Sequence, residues 1–319
     1  MENLNVENSS KLNHYTLKDE DEFFLFALDV VREAGNIVKS AFAKPVGTVY
    51  TKASATDFVT ETDRAVEELL IGRISTRFPD HKFIGEEGAS SGKKYEFTDA
   101  PTWIIDPIDG TTNFVHRIPF FGICVGLTIK KRLCAGIVYN PITDELYSAQ
   151  TGRGAFKNGF QIHTSSAKGL KEAVICQSQG IHNIREKGQE WLNLMLENQR
   201  KLILSGIHGS IDIYRFKKKS VLTYYPYGLF ADNNRSFGAA SINMVFLAEG
   251  SIDAYVECGL HSWDMAAAVV IVREAGGMVI DPTGVPFDLM SRKVLCACTP
   301  ELAKEFSSIL SHMDFAPEI

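Results

Sequence analysis

The chain lacks the features that mark several broad classes of protein. Its 319 residues contain no run of about 18 apolar residues, the length that a membrane-spanning helix needs. Its formal net charge is −6, so no general positive charge favours nucleic acid or an anionic membrane. No internal repeat is evident. We therefore expect a protein with neither a nucleic-acid partner nor a membrane association.

Cysteine is also scarce. The six cysteines show no paired zinc spacing, and a single residue separates Cys296 from Cys298. Most lie in apolar stretches, which is typical of reduced core thiols in a cytosolic protein. Residues 1–15 are polar without an apolar centre, so we expect neither a signal peptide nor a span there. These observations predict a cytoplasmic protein.

The informative segment is residues 103–116, with the sequence WIIDPIDGTTNFVH. Its apolar start predicts a buried strand, and Pro107 and Gly110 are expected to end it. Asp106 and Asp109 stand at that end. Asp, Pro and Gly are common in turns, so an isolated Asp-x-x-Asp would indicate a plain turn. The longer order Asp-Pro-x-Asp-Gly-Thr-Thr is too specific for that interpretation, and carboxylates that converge at a strand end favour a metal site.

Other acids are predicted to lie near the ends of elements. Asp63 falls in the first turn of a helix, Glu86 follows a short strand, and Asp264 opens an apolar helix. Each has an ordinary alternative reading: a helix-start acid, a solvated loop acid and a helix cap. Together with Asp106 and Asp109 they form an all-oxygen set with no soft-ligand set competing. We therefore infer Mg²⁺, with two or more ions of the kind used for attack of water on phosphate.

Alternating strand and helix patterns predict an α/β (α+β) chain. Residues 1–18 are expected to be a flexible tail, and residues 19–319 to form one domain, with its first helix starting at Asp19. A basic and aromatic segment at about 210–233 lacks periodicity. Such a composition could suggest nucleic-acid or membrane-surface contact, but the segment is short and isolated, so a surface insertion loop is favoured. The helix after it is expected to start near Arg235, with Ser236 as its cap and free N–H groups that could bind an anion or a sugar hydroxyl.

The sequence resembles the inositol monophosphatase family from about Phe23 to Ile309. The motifs that carry the resemblance are Gly85-Glu-Glu87, the 103–116 segment, and Trp263-Asp-Met-Ala-Ala leading to Glu274-Ala-Gly-Gly277. The resemblance implies a layered αβαβα fold, a homodimer, two or three Mg²⁺ ions and inhibition by Li⁺. It also implies hydrolysis of myo-inositol monophosphate to inositol and phosphate, a reaction of inositol biosynthesis and of the phosphatidylinositol cycle.

The resemblance also implies roles for single residues. The implied metal ligands are Glu86, Asp106, the carbonyl of Ile108, Asp109 and Asp264. The implied catalytic groups are Glu86 and Thr111 paired with Asp63, which would orient the attacking water. The N–H groups of Gly110 and Thr111 would hold the phosphate. The implied substrate contacts are Asp109, Gly110, Thr111, Gly238, Ala239, Ala240, Glu257 and Asp264, and Lys52 matches a lysine near the site.

Two departures from the family pattern stand out. Ala239 occupies a position where animal members often carry threonine. Between His208-Gly209 and Arg235-Ser236 the chain carries about two dozen extra residues, which could be a lineage-specific loop or a retained intron. We expect this insertion to loop outward and leave the metal site intact. The alternatives are a fructose-1,6-bisphosphatase or 3′-phosphonucleotidase activity, or a metal-binding scaffold that the insertion has made catalytically impaired.

Overall fold

A computed structural model describes residues 15–44, 49–51, 58–206, 209–210 and 236–318. Lys52, most of the 210–233 insertion and most of the predicted tail lie outside these residues. In the described chain the helices are α1 (Leu17–Phe42), α2 (Glu61–Arg77), α3 (Glu86–Ser90), α4 (Thr111–Val115), α5 (Ile184–Leu204), α6 (Ala240–Ala248), α7 (Ser262–Glu274) and α8 (Pro300–Ile309). Single 3₁₀ turns occupy Leu170–Glu172 and Ile181–Asn183.

The strands form three sheets. Within the described residues they are β1 (Val49–Thr51), β2 (Phe58–Thr60), β3 (Lys82–Gly85), β4 (Thr102–Asp109), β5 (Gly122–Ile129), β6 (Arg132–Asn140), β7 (Glu145–Gln150), β8 (Ala155–Lys157), β9 (Phe160–Ile162), β10 (Val174–Gln177), β11 (Gly209–Ser210), β12 (Ala254–Cys258), β13 (Met278–Ile280) and β14 (Lys293–Ala297). The orders are β1-β2, β3-β4-β5-β6-β7-β8-β9 and β11-β10-β12-β14-β13. In the seven-stranded sheet β3 and β4 are parallel and the later neighbours antiparallel.

The two large sheets and six of the helices stack in five layers. Helices α1 and α2 pack on one face of the seven-stranded sheet, where Trp103, Ile105 and Val125 are buried. Helices α6 and α7 fill the space between that sheet and the five-stranded sheet, against Ile104 and Tyr255. Helices α5 and α8 cover the far face of the five-stranded sheet. The predicted αβαβα layering is confirmed. Successive side chains of β4 point to opposite faces of the sheet, so this strand contributes residues to the hydrophobic cores on both faces.

The start of the first helix differs from the prediction. It begins at Leu17 rather than Asp19, so its first two residues lie inside the stretch expected to be a tail. Thr16 is the N-cap, and its backbone N–H donates to the Asp19 carboxylate at 2.7 Å. Asp19 is therefore the third residue of the helix and completes a capping box with Thr16, which stabilises the start of the helix.

Pro107 does not end β4, as the sequence pattern had suggested. The strand continues to Asp109, and its register with β5 shifts between Asp106 and Asp109. A bulge of this kind leaves a residue outside the ladder, so the missing N–H of Pro107 breaks no strand pairing. All eight residues of β4 are buried, because helices cover both faces of the sheet.

Close packing of α7 on the sheet depends on two glycines. Gly126 of β5 and Gly136 of β6 are paired directly across the strands. A Cβ on Gly126 would lie 2.8 Å from the Cβ of Ala266, and one on Gly136 would overlap the carbonyl oxygen of Ala267. Glycine on the strands and alanine on the helix thus let the backbones approach closely. Among the described residues no helix is both long and apolar enough to cross a membrane.

Candidate metal and active site

Asp106 lies at the bulge of β4. Its side chain is 1% exposed, and its Oδ1 accepts a hydrogen bond from the N–H of Ile108 at 3.0 Å. This bond turns the backbone after Asp106 and leaves the other carboxylate oxygen available. The strand end therefore presents a fixed, buried carboxylate, as the sequence pattern indicates for an acid placed at a break in an apolar run.

Asp109 bridges β4 to the central helix layer. Its carboxylate accepts hydrogen bonds from the N–H of Ser241 at 2.6 Å and of Ala240 at 3.3 Å. These are the first free donors of α6, so Asp109 caps that helix from another segment of the chain. The predicted helix start at Arg235 with a Ser236 cap is wrong, because α6 begins at Ala240 and its cap position is Ala239. The N–H groups of Ala240 and Ser241 already serve a carboxylate, so they are not free for an anion.

Asp264 comes from the first turn of α7. Its Oδ2 accepts the N–H of His261 at 2.7 Å in a capping box, in which His261 is the N-cap and Asp264 is the third helical residue. A second acid supports this helix start, since Glu318 accepts the N–H of Ser262 at 2.7 Å. The close approach of α7 to the glycines of β5 and β6 then carries Asp264 toward the end of β4.

The three aspartates converge. Asp106, Asp109 and Asp264 each offer a carboxylate oxygen, and these atoms all lie within 4.8 Å of one another. None of the ion pairs formed among the described residues involves any of the three. Carboxylates this close, two of them buried and none paired with a described lysine or arginine, need a cation or protons between them.

The electrostatics of the cluster agree with its geometry. Burial raises the pKa of Asp106 well above its usual range, and the neighbouring charge that adds most is Glu86. Burial likewise raises the pKa of Asp264, with the charge of Asp109 next in importance. Burial raises the pKa of Asp109 to about 6, although hydrogen bonds from Ser241 and Ala240 oppose the shift. The cluster is therefore poised to exchange protons for a metal ion.

Glu86 is the first residue of α3, directly after β3. It lies outside the group of three within 4.8 Å, yet near enough for its charge to act on Asp106, Asp109 and Asp264. Its neighbour Glu87 instead pairs with Arg64 at 3.7 Å. Of the two adjacent glutamates, Glu86 is the one whose charge acts on the aspartates.

Thr111 and Asp63 also meet. The Thr111 hydroxyl lies 3.1 Å from the carbonyl oxygen of Ile108 and 3.4 Å from Oδ1 of Asp63, which is 1% exposed. A hydroxyl has one proton to donate, so these two acceptors compete for it. The carbonyl of Ile108 keeps a second lone pair. This arrangement fixes Thr111 at the edge of the aspartate cluster.

The Gly110 turn packs against the segment before α6. Gly110 has φ of 93°, and a Cβ there would lie 2.9 Å from the Cβ of Ala239. The side-chain amide of Asn113 donates to the carbonyls of Phe120 and Phe237, both at 2.6 Å. A Cβ on Gly238 would lie 2.9 Å from that amide. The structure thus brings the predicted phosphate-binding turn beside the predicted sugar-binding segment.

Glu257 lies inside β12 and is 8% exposed. It accepts a hydrogen bond from the hydroxyl of Tyr255. Burial raises the pKa of Glu257 to about 7, opposed by hydrogen bonds from Ser178 and Tyr255 and increased by the charge of Asp109. Asn243 accepts the N–H of Phe237 at 3.1 Å, which ties the sugar-binding segment to the same core.

Sequence reasoning missed several residues that build the site. Ser241, Asn113, Asn243 and Tyr255 act through contacts between distant segments, which no local pattern reveals. Glu67 is different. It is 6% exposed on α2, one helical turn after Asp63, and its position on the same face was a signal that the sequence did contain.

Comparisons with known proteins identify one family over most of the chain. The family model described as the inositol monophosphatase family matches residues 19–313. The chain is 39% identical to inositol monophosphatase 1 of Mus musculus, covering 88% of this chain and 91% of the mouse protein. It is 38% identical to inositol monophosphatase 2 of Homo sapiens, covering 92% of each. The structure of the extragenic suppressor protein suhB from Bartonella henselae superposes with a TM-score of 0.72 at 27% identity, covering 89% of this chain and 96% of that one. The chain therefore belongs to the inositol monophosphatase family.

Proposed function

We propose that this protein is a Mg²⁺-dependent phosphatase that hydrolyses myo-inositol monophosphate to myo-inositol and phosphate. The observation that carries the proposal is the convergence of Asp106, Asp109 and Asp264, whose carboxylate oxygens lie within 4.8 Å of one another. Membership of the family, with relatives named inositol monophosphatase at 38–39% identity, supports the choice of substrate.

The donor set fits Mg²⁺. The aspartates offer hard oxygen ligands, and we assign Glu86 and the carbonyl of Ile108 to the same site, with room for two or three ions shared among them. When bound, Mg²⁺ would lower the pKa of a water and neutralise charge on the leaving oxygen. Li⁺ inhibition follows as part of the proposal, because a small hard cation suits the same oxygens.

The chain's own groups would place the reacting atoms. Thr111, held by Asp63, would accept a hydrogen bond from the attacking water or donate one to it, while Glu86 would orient the water and take its proton. The N–H groups of Gly110 and Thr111 would hold the phosphate oxygens at the turn after β4. Water would thereby face phosphorus from the side opposite the leaving hydroxyl.

The substrate's hydroxyls would be recognised on the other side of the cluster. Glu257 has a pKa of about 7, so near neutral pH it can accept a hydrogen bond from a ring hydroxyl, as a carboxylate, or donate one. Gly238 and Ala239 lie across from the phosphate turn and would supply backbone contacts, and Ala240, whose N–H is used by Asp109, follows them at the start of the helix. Asp109 and Asp264 would lie beside the leaving oxygen. A polyol phosphate matches this combination.

Asp106→Asn is expected to lower Mg²⁺-dependent phosphate release at least about a hundredfold, because it replaces a buried anionic ligand with a neutral amide. Release is measured with inositol monophosphate, fructose 1,6-bisphosphate and a 3′-phosphonucleotide, with Mg²⁺ titrated and Li⁺ added. Asp99→Asn, an exposed aspartate outside the site, is the matched control.

Two results would contradict the proposal. Unchanged phosphate release by Asp106→Asn would contradict the proposed metal-dependent mechanism. A higher kcat/KM on one of the other two substrates would move the assignment to that alternative while keeping the metal chemistry.

The remaining expectations belong to the same proposal. All six cysteines are free, which supports a reducing compartment such as the cytoplasm. A homodimer is expected from the family resemblance, and light scattering on the purified protein tests it. A monomer with full activity would show that the dimer is dispensable.

A further inference from the structure

The segment Gly85–Gly88 comprises the last residue of β3 and the first turn of α3, and it carries Glu86. Two carboxylates lie in this segment, and their side chains go to different places: Glu86 acts on the aspartate cluster, and Glu87 pairs with Arg64. The two acids are adjacent and identical in chemistry, so their order in the sequence does not decide which of them faces the cluster. Something else must set its orientation.

Glu67 on α2 contacts this segment directly. Its Oε2 accepts the N–H of Glu87 at 2.9 Å, and its Oε1 accepts the N–H of Gly88 at 3.1 Å. Both carboxylate oxygens are thus used on adjacent backbone donors, which fixes the peptide plane as well as the position. With 6% exposure, Glu67 makes these bonds away from solvent competition.

The surroundings of Glu67 leave no space for another arrangement. A Cβ on Gly85 would lie 2.7 Å from the Glu67 carboxylate, so residue 85 can carry no side chain while Glu67 stays in place. Burial raises the pKa of Glu67, and the two backbone N–H groups oppose this shift. The charges of Glu87 and Glu86 also raise the pKa of Glu67, so all three carboxylates lie near one another.

Helix α2 therefore presents two acids one turn apart, on the same face. Asp63 contacts the hydroxyl of Thr111, and Glu67 contacts the backbone beside Glu86. Thr111 and Glu86 are the two groups to which the proposed function assigns orientation of the attacking water. A single rigid helix thus sets the distance between them.

We propose that Glu67 is a positioning residue of the metal site: it holds the backbone of Glu87 and Gly88 so that Glu86 presents its carboxylate to the aspartate cluster. It touches neither substrate nor metal. The inference rests on the proposed function for its catalytic consequence, whereas its consequence for metal binding can be measured without any turnover.

Two substitutions of Glu67 distinguish the effect of its hydrogen bonds to the backbone from the effect of its negative charge. Glu67→Gln keeps the length but places an NH₂ group against a backbone N–H, so one bond is lost. Glu67→Asp keeps the charge but shortens the side chain by about 1.5 Å, so it cannot reach both donors. Glu68→Gln, on the exposed face of the same helix, is the matched control.

The first readout is equilibrium binding of Mn²⁺ to the metal-free protein by calorimetry. Loss of support behind a metal ligand is expected to weaken binding about 10- to 100-fold in both Glu67→Gln and Glu67→Asp, and not in Glu68→Gln. Weakening in Glu67→Gln alone would show a through-space effect of charge and overturn the proposal. Unchanged binding in both variants would overturn it as well.

The second readout is phosphate release. Both Glu67 variants are expected to need about tenfold more Mg²⁺ for half-maximal activity and to lose kcat, with KM for inositol monophosphate unchanged, because the substrate contacts lie on other elements. Raised KM with normal Mg²⁺ dependence would overturn the positioning role. If wild type itself releases no phosphate, the proposed function fails, and the calorimetry still decides the role of Glu67.

A folding control keeps the result readable. Circular dichroism and thermal melting of the metal-free variants show whether they fold. Hydrogen exchange then reports on the Glu87 and Gly88 amides, which are expected to exchange faster in folded Glu67→Gln than in wild type. Equal exchange rates at these amides would mean that Glu67 does not hold the segment, and the proposal would fall.

Discussion

At the scale of single residues, His81 shows how burial sets a titration far from the site. It is 7% exposed, and its Nδ1 accepts the indole N–H of Trp103 at 2.9 Å. Its ring stacks on Phe78 with a centroid distance of 4.9 Å. Burial lowers the pKa of His81 to about 4, with the charge of Asp80 opposing the shift. The folded protein therefore keeps this imidazole neutral at pH values where an unfolded chain would protonate it.

The consequence is a loss of stability in acid. The pKa of His81 is lower in the folded state, so the unfolded chain binds more protons between about pH 6.5 and pH 4, and the free energy of unfolding falls as the pH falls. The contribution of His81 to this loss is about 3 kcal/mol between pH 7 and pH 4. The free energy of unfolding, measured in urea at several pH values across this range, is expected to fall with decreasing pH in wild type and to fall less steeply in His81→Gln. Equal slopes would show that His81 does not cause it.

The limits of sequence reasoning are also clearest among residues. A local sequence pattern indicates four of the site residues, because each is an acid or a hydroxyl that follows an apolar run or opens a helix: Asp106, Asp109, Thr111 and Asp264. Glu67 sits in a helix rich in charged residues, where one more glutamate looks like a solvated acid. The capping of α6 by Asp109 joins two segments that are distant in the chain, so no local window contains it.

At the scale of elements, the packing of α7 on β5 and β6 places Asp264. Ala266 and Ala267 lie against the paired glycines of the strands, so the helix lies closer to the sheet than larger side chains would permit. The sequence predicted the helix and both strands. It could not predict that their smallest residues would face one another, because that depends on the register between β5 and β6.

Gly136→Ala is expected to destabilise the protein by about 1–3 kcal/mol, because its Cβ would overlap the backbone of Ala267 and force α7 outward. Metal affinity should fall with it, since Asp264 moves with the helix. The free energy of unfolding in urea and Mn²⁺ calorimetry measure the two effects.

Gly72→Ala is the control, since a Cβ at this exposed position in α2 would meet nothing within 4 Å. Replacing a helix-interior glycine is expected to stabilise by about 0.5–1 kcal/mol. If Gly136→Ala behaved like this control, the close approach of helix and sheet would not be needed for folding.

At the scale of the whole molecule, the layered fold could be predicted only through the family resemblance. Hydrophobic periodicity predicted the helices and strands. The order of the strands and the position of two helices between the sheets depend on which apolar faces pack together, and those faces are similar in sequence. The insertion at 210–233 remains a prediction, since nearly all of it lies outside the described residues.

Deleting residues 211–233 is expected to leave Mg²⁺-dependent phosphate release within about threefold of the full chain, because the aspartate cluster and its supports come from other segments. Initial rates of both proteins at matched concentrations provide the measurement. A large gain on deletion would show that the insertion obstructs the site, and a loss would show that it contributes to it.

The cluster also has a consequence for the order in which the protein is made. Asp63 and Asp106 belong to the first part of the chain to be synthesised, whereas Asp264 and the Ser241 N–H that holds Asp109 arrive late. Until α6 and α7 dock between the two sheets, the early acids lack Asp264 and the N–H group that holds Asp109, so the cluster of three aspartates is incomplete. If the cluster binds a cation as proposed, that binding would require both helices to be docked, and the bound ion would favour the completed fold over partly folded chains by mass action.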